Sequence, residues 1–153
     1  MRLVFLIAKT LHGALYRLSG GRVGAHVAGL PVLLLTTTGR KTGKPRTVPL
    51  SYYDDGDAMV VVGSKGGAPR HPAWYLNLEA NPEVGVQIGR EHRRLRARRA
   101  SPGEAERLWP AILERAPGYA RYRAKTSREI PLVLLERSQP AAGKVSTPPS
   151  SPT

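Results

Sequence analysis

From Leu30 to Glu136 the apolar residues arrive in short, strand-length runs, and nearly every gap between them holds glycine, proline, asparagine or aspartate. Val32–Thr37, Thr47–Tyr53, Ala58–Gly63, Glu83–Ile88, Arg93–Ala100 and Ile130–Glu136 read as strands. Asp54–Asp57, DDGD, is a hairpin turn, and Gly89-Arg90 centres a second hairpin. Pro45 and Pro49 give the second strand an irregular start or an edge position. Strands joined mainly by hairpins do not build an alternating βαβ sheet. The expected fold class is therefore α+β, mainly β, closed into a small barrel.

Helices are few. Ser64–Pro82 contains a glycine turn and then a short helix through Trp74 and Leu78 that stops at Asn81-Pro82. Ser101-Pro102-Gly103-Glu104 carries an N-cap serine, proline at the first helical position and the glutamate of a capping box. That helix runs through Trp109, bends at Pro110 and ends before Pro117-Gly118. At the N-terminus Leu3, Ile7, Leu11, Ala14 and Leu18 share one helical face, away from Arg2, Lys9 and Arg17. This helix either packs on the domain or lies on a membrane surface. Its apolar core is too short, and lacks the cleavage pattern, for a signal peptide. No segment has the roughly 20 apolar residues of a membrane span. The expected division is an N-terminal helix at 1–20, a cofactor-binding domain at 21–137 and a disordered Pro/Ser-rich tail at 138–153.

With 24 Lys and Arg against 11 Asp and Glu, the net charge of +13 favours a polyanionic partner: nucleic acid, anionic membrane or a phosphorylated cofactor. The densest basic run, REHRRLRARR at 90–99, alternates Leu95 and Ala97 with arginines, which is a strand with one solvated face. There is no cysteine, hence no disulfide, zinc–thiolate site or thiol nucleophile. His12, His26, His71 and His92 are scattered and read as structural, and no metal site is expected. Serine-hydrolase, zinc-protease, P-loop and dinucleotide-fold motifs are all missing. A catalytic role for this chain would rest on a bound cofactor.

Thr38–Pro49, TGRKTGKPRTVP, offers a grip for one. Its glycines let backbone N–H groups turn toward an anion, Arg40 and Arg46 provide forked donors, and Lys41 and Lys44 provide point charges. Ser64-Lys65-Gly66-Gly67 is a second small cationic turn at a strand end. The two turns suit one phosphorylated ligand held between them; the alternative is a pair of solvated connections.

The segments GRKTGKPR, SKGG and HPAWYLNLEANP, in this order and spacing, together with GYARYRAKTSREIPLVLLE, make Leu30–Glu136 resemble the deazaflavin-dependent nitroreductases, also described as reduced-F-420-dependent quinone reductases. The resemblance implies a split β-barrel related to flavin-mononucleotide-binding proteins, with an N-terminal helix and two short helices. It implies coenzyme F-420, an 8-hydroxy-5-deazaflavin with a phosphodiester and glutamate tail, as cofactor. It places that tail on Arg40, Lys41, Thr42 and Arg46, and the rest of the cofactor along Thr47, Val48, Pro49, Leu50 and Ser51. Further contacts fall to Val62, Gly63, Ser64 and Lys65, and to Ala73, Trp74, Tyr75, Leu76 and Asn77. Ser64, Tyr119 and Tyr122 are the implied catalytic residues, with Tyr119 also bordering the deazaflavin.

The implied reaction is hydride transfer to a quinone or an activated nitro or enone compound, in the cytoplasm or peripherally at the inner face of the plasma membrane, without nucleic acid. Ser51 and Ala116 stand where some relatives carry tyrosine, so the acceptor pocket is expected to be less aromatic and nitroimidazole reduction is not implied. A non-catalytic deazaflavin carrier is the alternative. A nucleic-acid-binding barrel is disfavoured by the scarcity of stacking aromatics.

Overall fold

The computed structural model describes residues 26–27 and 29–138. The elements are β1 (His26–Val27), β2 (Leu30–Thr38), β3 (Pro45–Asp54), β4 (Met59–Val62), a 3-10 turn (Lys65–Gly67), α1 (Ala73–Ala80), β5 (Glu83–Ile88), β6 (Glu91–Arg99), α2 (Pro102–Arg115), α3 (Gly118–Lys125) and β7 (Leu132–Glu136). The strands are ordered β1-β2-β3-β4-β7-β6-β5, and β2 also pairs with β5, which closes a six-stranded antiparallel split barrel. The expected mainly β barrel is what forms. The N-terminal helix and the tail beyond Ser138 lie outside the described residues.

Side-chain alternation decides which face of each strand is inside. Leu33 and Leu35 of β2, Met59 and Val61 of β4, Val84 and Val86 of β5, Leu95 and Ala97 of β6, and Val133 and Leu135 of β7 fill the barrel. Trp74, Tyr75 and Leu78 of α1 join the same cluster, so α1 is packed into this core by three side chains. A second core lies on the outer face: Val60, Val62, Leu132 and Leu134 are covered by Leu108 and Ile112 of α2. Burial on both faces explains why MVVV and the LVLL of Leu132–Leu135 are continuous apolar runs. By contrast, β6 buries only Leu95 and Ala97 and leaves its arginines exposed, as the alternation required.

Those arginines are largely neutralised in place. Arg93 pairs with Glu91 at 2.7 Å, Arg96 with Glu83 at 3.0 Å, and Arg98 with both Glu104 at 2.7 Å and Glu136 at 2.8 Å. Arg99 pairs with Glu129 at 2.7 Å. The basic run is thus the solvated, ion-paired face of a strand.

Pro45 and Pro49 also find a physical place. β4 pairs with Tyr52, Tyr53 and Asp54 of β3, so from Pro45 to Leu50 the strand has β2 on one side and no other described strand on the other. A residue without an N–H is tolerated at such an edge. This stretch, paired on one side among the described strands, is the split in the barrel, and it borders the basic loop.

The capping box forms as expected: the Glu104 N–H donates to Ser101 Oγ at 3.3 Å, and the Ser101 N–H donates to Glu104 Oε1 at 3.0 Å. The helix continues through Pro110 to Arg115. The Arg98 guanidinium, assisted by the Ser101 N–H, holds the Glu104 carboxyl down at about 2, against an ordinary 4.5. A carboxyl depressed in the folded state adds stability that is complete above its ordinary pKa and is lost as the pH falls through its folded value. Thermal unfolding should therefore show Glu104→Gln less stable than the parent at pH 6, with the gap closing between about pH 4.5 and pH 2. A gap that persists undiminished at pH 2 would show that ionisation of Glu104 is not its source.

Candidate functional site

The loop between β2 and β3 is closed by its own backbone. The Gly39 N–H donates to the Lys44 carbonyl at 2.8 Å, and the Gly43 N–H donates to the Gly39 carbonyl at 2.7 Å. Glycine is needed at both positions for different reasons. A Cβ on Gly39 would lie 2.8 Å from Thr42 Oγ1 and 3.1 Å from the Lys44 carbonyl oxygen, whereas Gly43 has φ +69° with open space around it.

A buried amide ties this loop to the barrel. Asn77 on α1, only 4% exposed, accepts from the Arg40 N–H at 3.2 Å and from Arg40 Nη1 at 3.1 Å. Its Nδ2 donates to Thr37 Oγ1 at 3.2 Å, and Thr37 is 1% exposed. The buried amide in the helix sequence AWYLNLEA is therefore an anchor that uses both its oxygen and its nitrogen. Thr36 and Thr47 share a hydroxyl hydrogen bond of 2.8 Å across the strands just below the loop.

Loop, β3 and α1 enclose a cleft of about 560 Å³. Of the residues expected from sequence it brings together Arg40, Lys41, Thr42, Arg46, Thr47 and Val48 on one side with Ala73, Trp74 and Asn77 on the other; Gly39 and Pro45 also line it. Arg40, Lys41, Lys44 and Arg46 are all exposed, and none forms an ion pair with a described residue. Against the paired arginines of β6, these four clustered cations leave the mouth of the cleft strongly positive. Among the described residues no group of three or more histidines and acids could hold a metal ion.

Other expected residues lie apart from this cleft. Pro49, Leu50 and Ser51 continue along β3, where Leu50 turns toward the inner core. Tyr75 is 1% exposed in that core, its ring tilted at 43° against His71 with centroids 4.7 Å apart, and burial raises its pKa. Leu76 packs against the same cluster. Val62 belongs to the outer core under α2.

The second cationic turn is a separate, well-packed unit. Lys65, Gly66 and Gly67 have φ of 44°, 63° and 77°, a left-handed run that needs glycine and carries one strained lysine. Ser64, 8% exposed, precedes it, and its carbonyl accepts from the Gly67 N–H at 2.9 Å. Gly63 is pinned to the segment before β7, its N–H donating to the Pro131 carbonyl at 2.9 Å. α3 rests directly on the turn: a Cβ on Gly67 would lie 2.8 Å from the Tyr122 carbonyl oxygen. Tyr119 and Tyr122 do share this helix and meet edge to face at 6.0 Å, as their i, i+3 spacing requires. Burial raises the pKa of Tyr119, while Tyr122 is 37% exposed.

Arg128 went unnoticed in the sequence. In SREIP, next to Glu129, it looks like an ordinary surface cation, yet its guanidinium bonds only to carbonyls and to His71. The usable signal was its place just before the last strand, opposite the end of β4 in an antiparallel pair.

Comparison with known proteins agrees with this architecture. The family model described as F420H(2)-dependent quinone reductase matches residues 9–137. An F420H(2)-dependent quinone reductase of Mycobacterium tuberculosis is 47% identical over 131 residues, covering 83% of this chain and 88% of the relative. A solved F420-H2 dependent reductase is 44% identical, covers 74% of this chain and 100% of its own, and superposes with a TM-score of 0.64. A further solved structure, described as a domain-swapped dimer, is 40% identical, covers 83% and 96%, and has a TM-score of 0.66.

Proposed function

The chain belongs to the F420H(2)-dependent quinone reductase family, and we propose that it transfers hydride from the reduced deazaflavin coenzyme to a quinone. The observation that carries this reading is the cluster of cations, without carboxylate partners among the described residues, around the cleft between the loop, β3 and α1. A phosphodiester is the kind of group that such a set of donors fits.

Arg40, Lys41, Thr42 and Arg46 hold the phosphate and tail of the coenzyme, with Thr47 and Val48 on β3 and Ala73 and Trp74 on α1 flanking it. Pro49, Leu50, Ser51, Tyr75, Leu76 and Asn77 support that cradle from the strand and helix behind it. When bound, the reduced deazaflavin supplies a hydride. The chain contributes orientation and exclusion of water. The turn Val62–Lys65 borders the ring, with the Ser64 hydroxyl hydrogen-bonding there and assisting proton delivery to the reduced quinone oxygen. Tyr119 and Tyr122 form an aromatic wall for the acceptor. Burial keeps the Tyr119 phenol protonated, a donor and not an anion.

Activated nitro and enone compounds are further acceptors within the same reading. Small Ser51 and Ala116 leave the acceptor side less aromatic. No helix of the described residues is long and apolar enough to cross a membrane. Peripheral lipid contact through residues 1–20, with the barrel domain spanning 21–137, belongs to this proposal and is read by liposome flotation with and without those twenty residues. Loss of no flotation on their removal would discard that part.

A carrier would bind the deazaflavin but not turn it over. Under anaerobic conditions, adding menadione to protein and excess reduced deazaflavin is expected to regenerate the oxidised chromophore over many turnovers. Oxidation no faster than in the protein-free mixture would favour the carrier.

A further inference from the structure

We propose that Arg128 is a positioning residue that sets the Ser64–Ala68 turn and, through His71, fixes that turn to the start of α1. The role in binding rests on the deazaflavin reading of the site; the ordering of the turn does not.

A guanidinium has five N–H hydrogens in a fixed fork, and Arg128 spends them on one small region. Its Nε donates to the Ala68 carbonyl at 2.8 Å and its Nη2 to the Ser64 carbonyl at 2.8 Å. Nη1 faces the Gly63 carbonyl at 3.2 Å, His71 Nδ1 at 3.3 Å and the Glu129 carbonyl at 3.4 Å. Arg128 is half-buried and forms no ion pair with a described residue. A cation in such a place needs acceptors, and the residues on either side of the left-handed turn supply them through the Gly63, Ser64 and Ala68 carbonyls. The positive φ of Lys65 is unfavourable for a residue with a Cβ, so an outside restraint on the flanking carbonyls is what keeps the turn in this form. Gly67 in turn receives α3, so the same restraint seats the helix that carries Tyr119 and Tyr122.

The contact to His71 adds a chemical condition. A guanidinium N–H can only donate, so Nδ1 must present its lone pair and the ring proton must sit on Nε2. The ring is held neutral by burial and then by the positive charges of Arg128 and Arg99, against the opposing charge of Glu79; Tyr75 packs against it from α1. His71 directly precedes Pro72, the residue that starts α1, and Ala73, Trp74 and Asn77 of α1 line the cleft. One arginine therefore links the ring-side turn to the helix that anchors the phosphate loop.

The test uses the full chain with uniform nitrogen-15 labelling, the variants Arg128→Met and Arg128→Lys, and oxidised deazaflavin as probe. In the parent, imidazole spectra should show His71 as the Nε2–H tautomer, titrating below an ordinary histidine. In Arg128→Met the His71 titration should move to higher pH, the Gly67 and Ala68 amides should exchange at least about tenfold faster, and deazaflavin affinity should fall about tenfold. Arg128→Lys, with one donor group in place of the fork, should restore the His71 titration in part but not the amide protection. A parent His71 in the Nδ1–H tautomer overturns the proposal without any variant, which covers the case of a variant that does not fold. Shifted titration and exchange with unchanged affinity would overturn the role in binding. A parent that binds no deazaflavin would instead refute the functional reading, while titration and exchange would still decide the ordering of the turn.

Discussion

Replacing Arg40, Lys41 and Arg46 together by alanine is expected to weaken binding of oxidised deazaflavin by about 100-fold in low salt, and by far less near 1 M salt, with folding intact. The magnitude follows from the setting. Hydrogen bonds to a charged group contribute roughly 1.5–3 kcal/mol when sheltered, but these side chains are exposed, so about 1 kcal/mol each is the better figure. Three such losses amount to about two decades in affinity. Screening shortens the reach of each charge from about 10 Å at 0.1 M salt to about 3 Å at 1 M, so the difference between parent and variant must shrink as salt rises. Stability should fall only slightly: none of the three pairs with an acid among the described residues, and although the Arg40 Nη1 bond to Asn77 is lost, the Arg40 N–H still donates to the same amide oxygen. Arg94→Ala with Arg96→Ala on β6 is the control: two positive charges vanish from residues that do not line the cleft, and affinity should change by less than about twofold. Equal losses in loop and control variants would mean that net charge, and not the loop, attracts the cofactor.

Gly67→Val should be the most destabilising single change in the second turn, by about 3 kcal/mol, or a fall of roughly 10 °C in Tm. Two costs combine there. At φ 77° any side chain is strained by about 1–2 kcal/mol. The new Cβ would also sit 2.8 Å from the Tyr122 carbonyl oxygen and 3.1 Å from Lys125 Cβ, so α3 must lift off the turn. Gly66→Ala separates the two costs: its φ of 63° is similar, but nothing lies within 4 Å of the added carbon. It should lose only about 1 kcal/mol and leave α3 seated. The Tyr119–Tyr122 contact provides the readout, since near-ultraviolet circular dichroism from the tyrosines should change for Gly67→Val and not for Gly66→Ala. Identical behaviour of the two variants would contradict the packing of α3 on this turn.

The barrel was legible because its causes are local. Alternation in RRLRARR, hairpin signals at DDGD and Gly89-Arg90, and the capping box at Ser101 each determine an element from a few neighbouring residues. Closure of β2 on β5 was not legible, since nothing in either strand names its partner 50 residues away. The two prolines of β3 told of an edge without telling that the edge is the split of a closed barrel.

The site followed the same division. Arg40, Lys41, Thr42 and Arg46 fall within seven consecutive residues, and that density alone raised the expectation of an anion. Asn77, Thr37 and Arg128 act across the fold, with sequence separations of 37 to 65 residues between partners. Their meaning lies in which carbonyls and amides they meet, and only the closed barrel brings those together. Strand alternation adds what the contiguous run Thr47–Ser51 does not display: Val48 and Leu50 pack against the inner core, while Thr47 and Val48 line the cleft.

The most direct measurement of the central claim is a fluorescence titration of the oxidised deazaflavin with the full chain, run beside flavin mononucleotide and a single-stranded oligonucleotide. The cradle of Arg40, Lys41, Thr42 and Arg46 predicts saturable binding of the deazaflavin that tightens as salt is lowered and is lost in the triple alanine variant. Binding of the oligonucleotide alone, or deazaflavin binding that the triple variant retains in full, would contradict it.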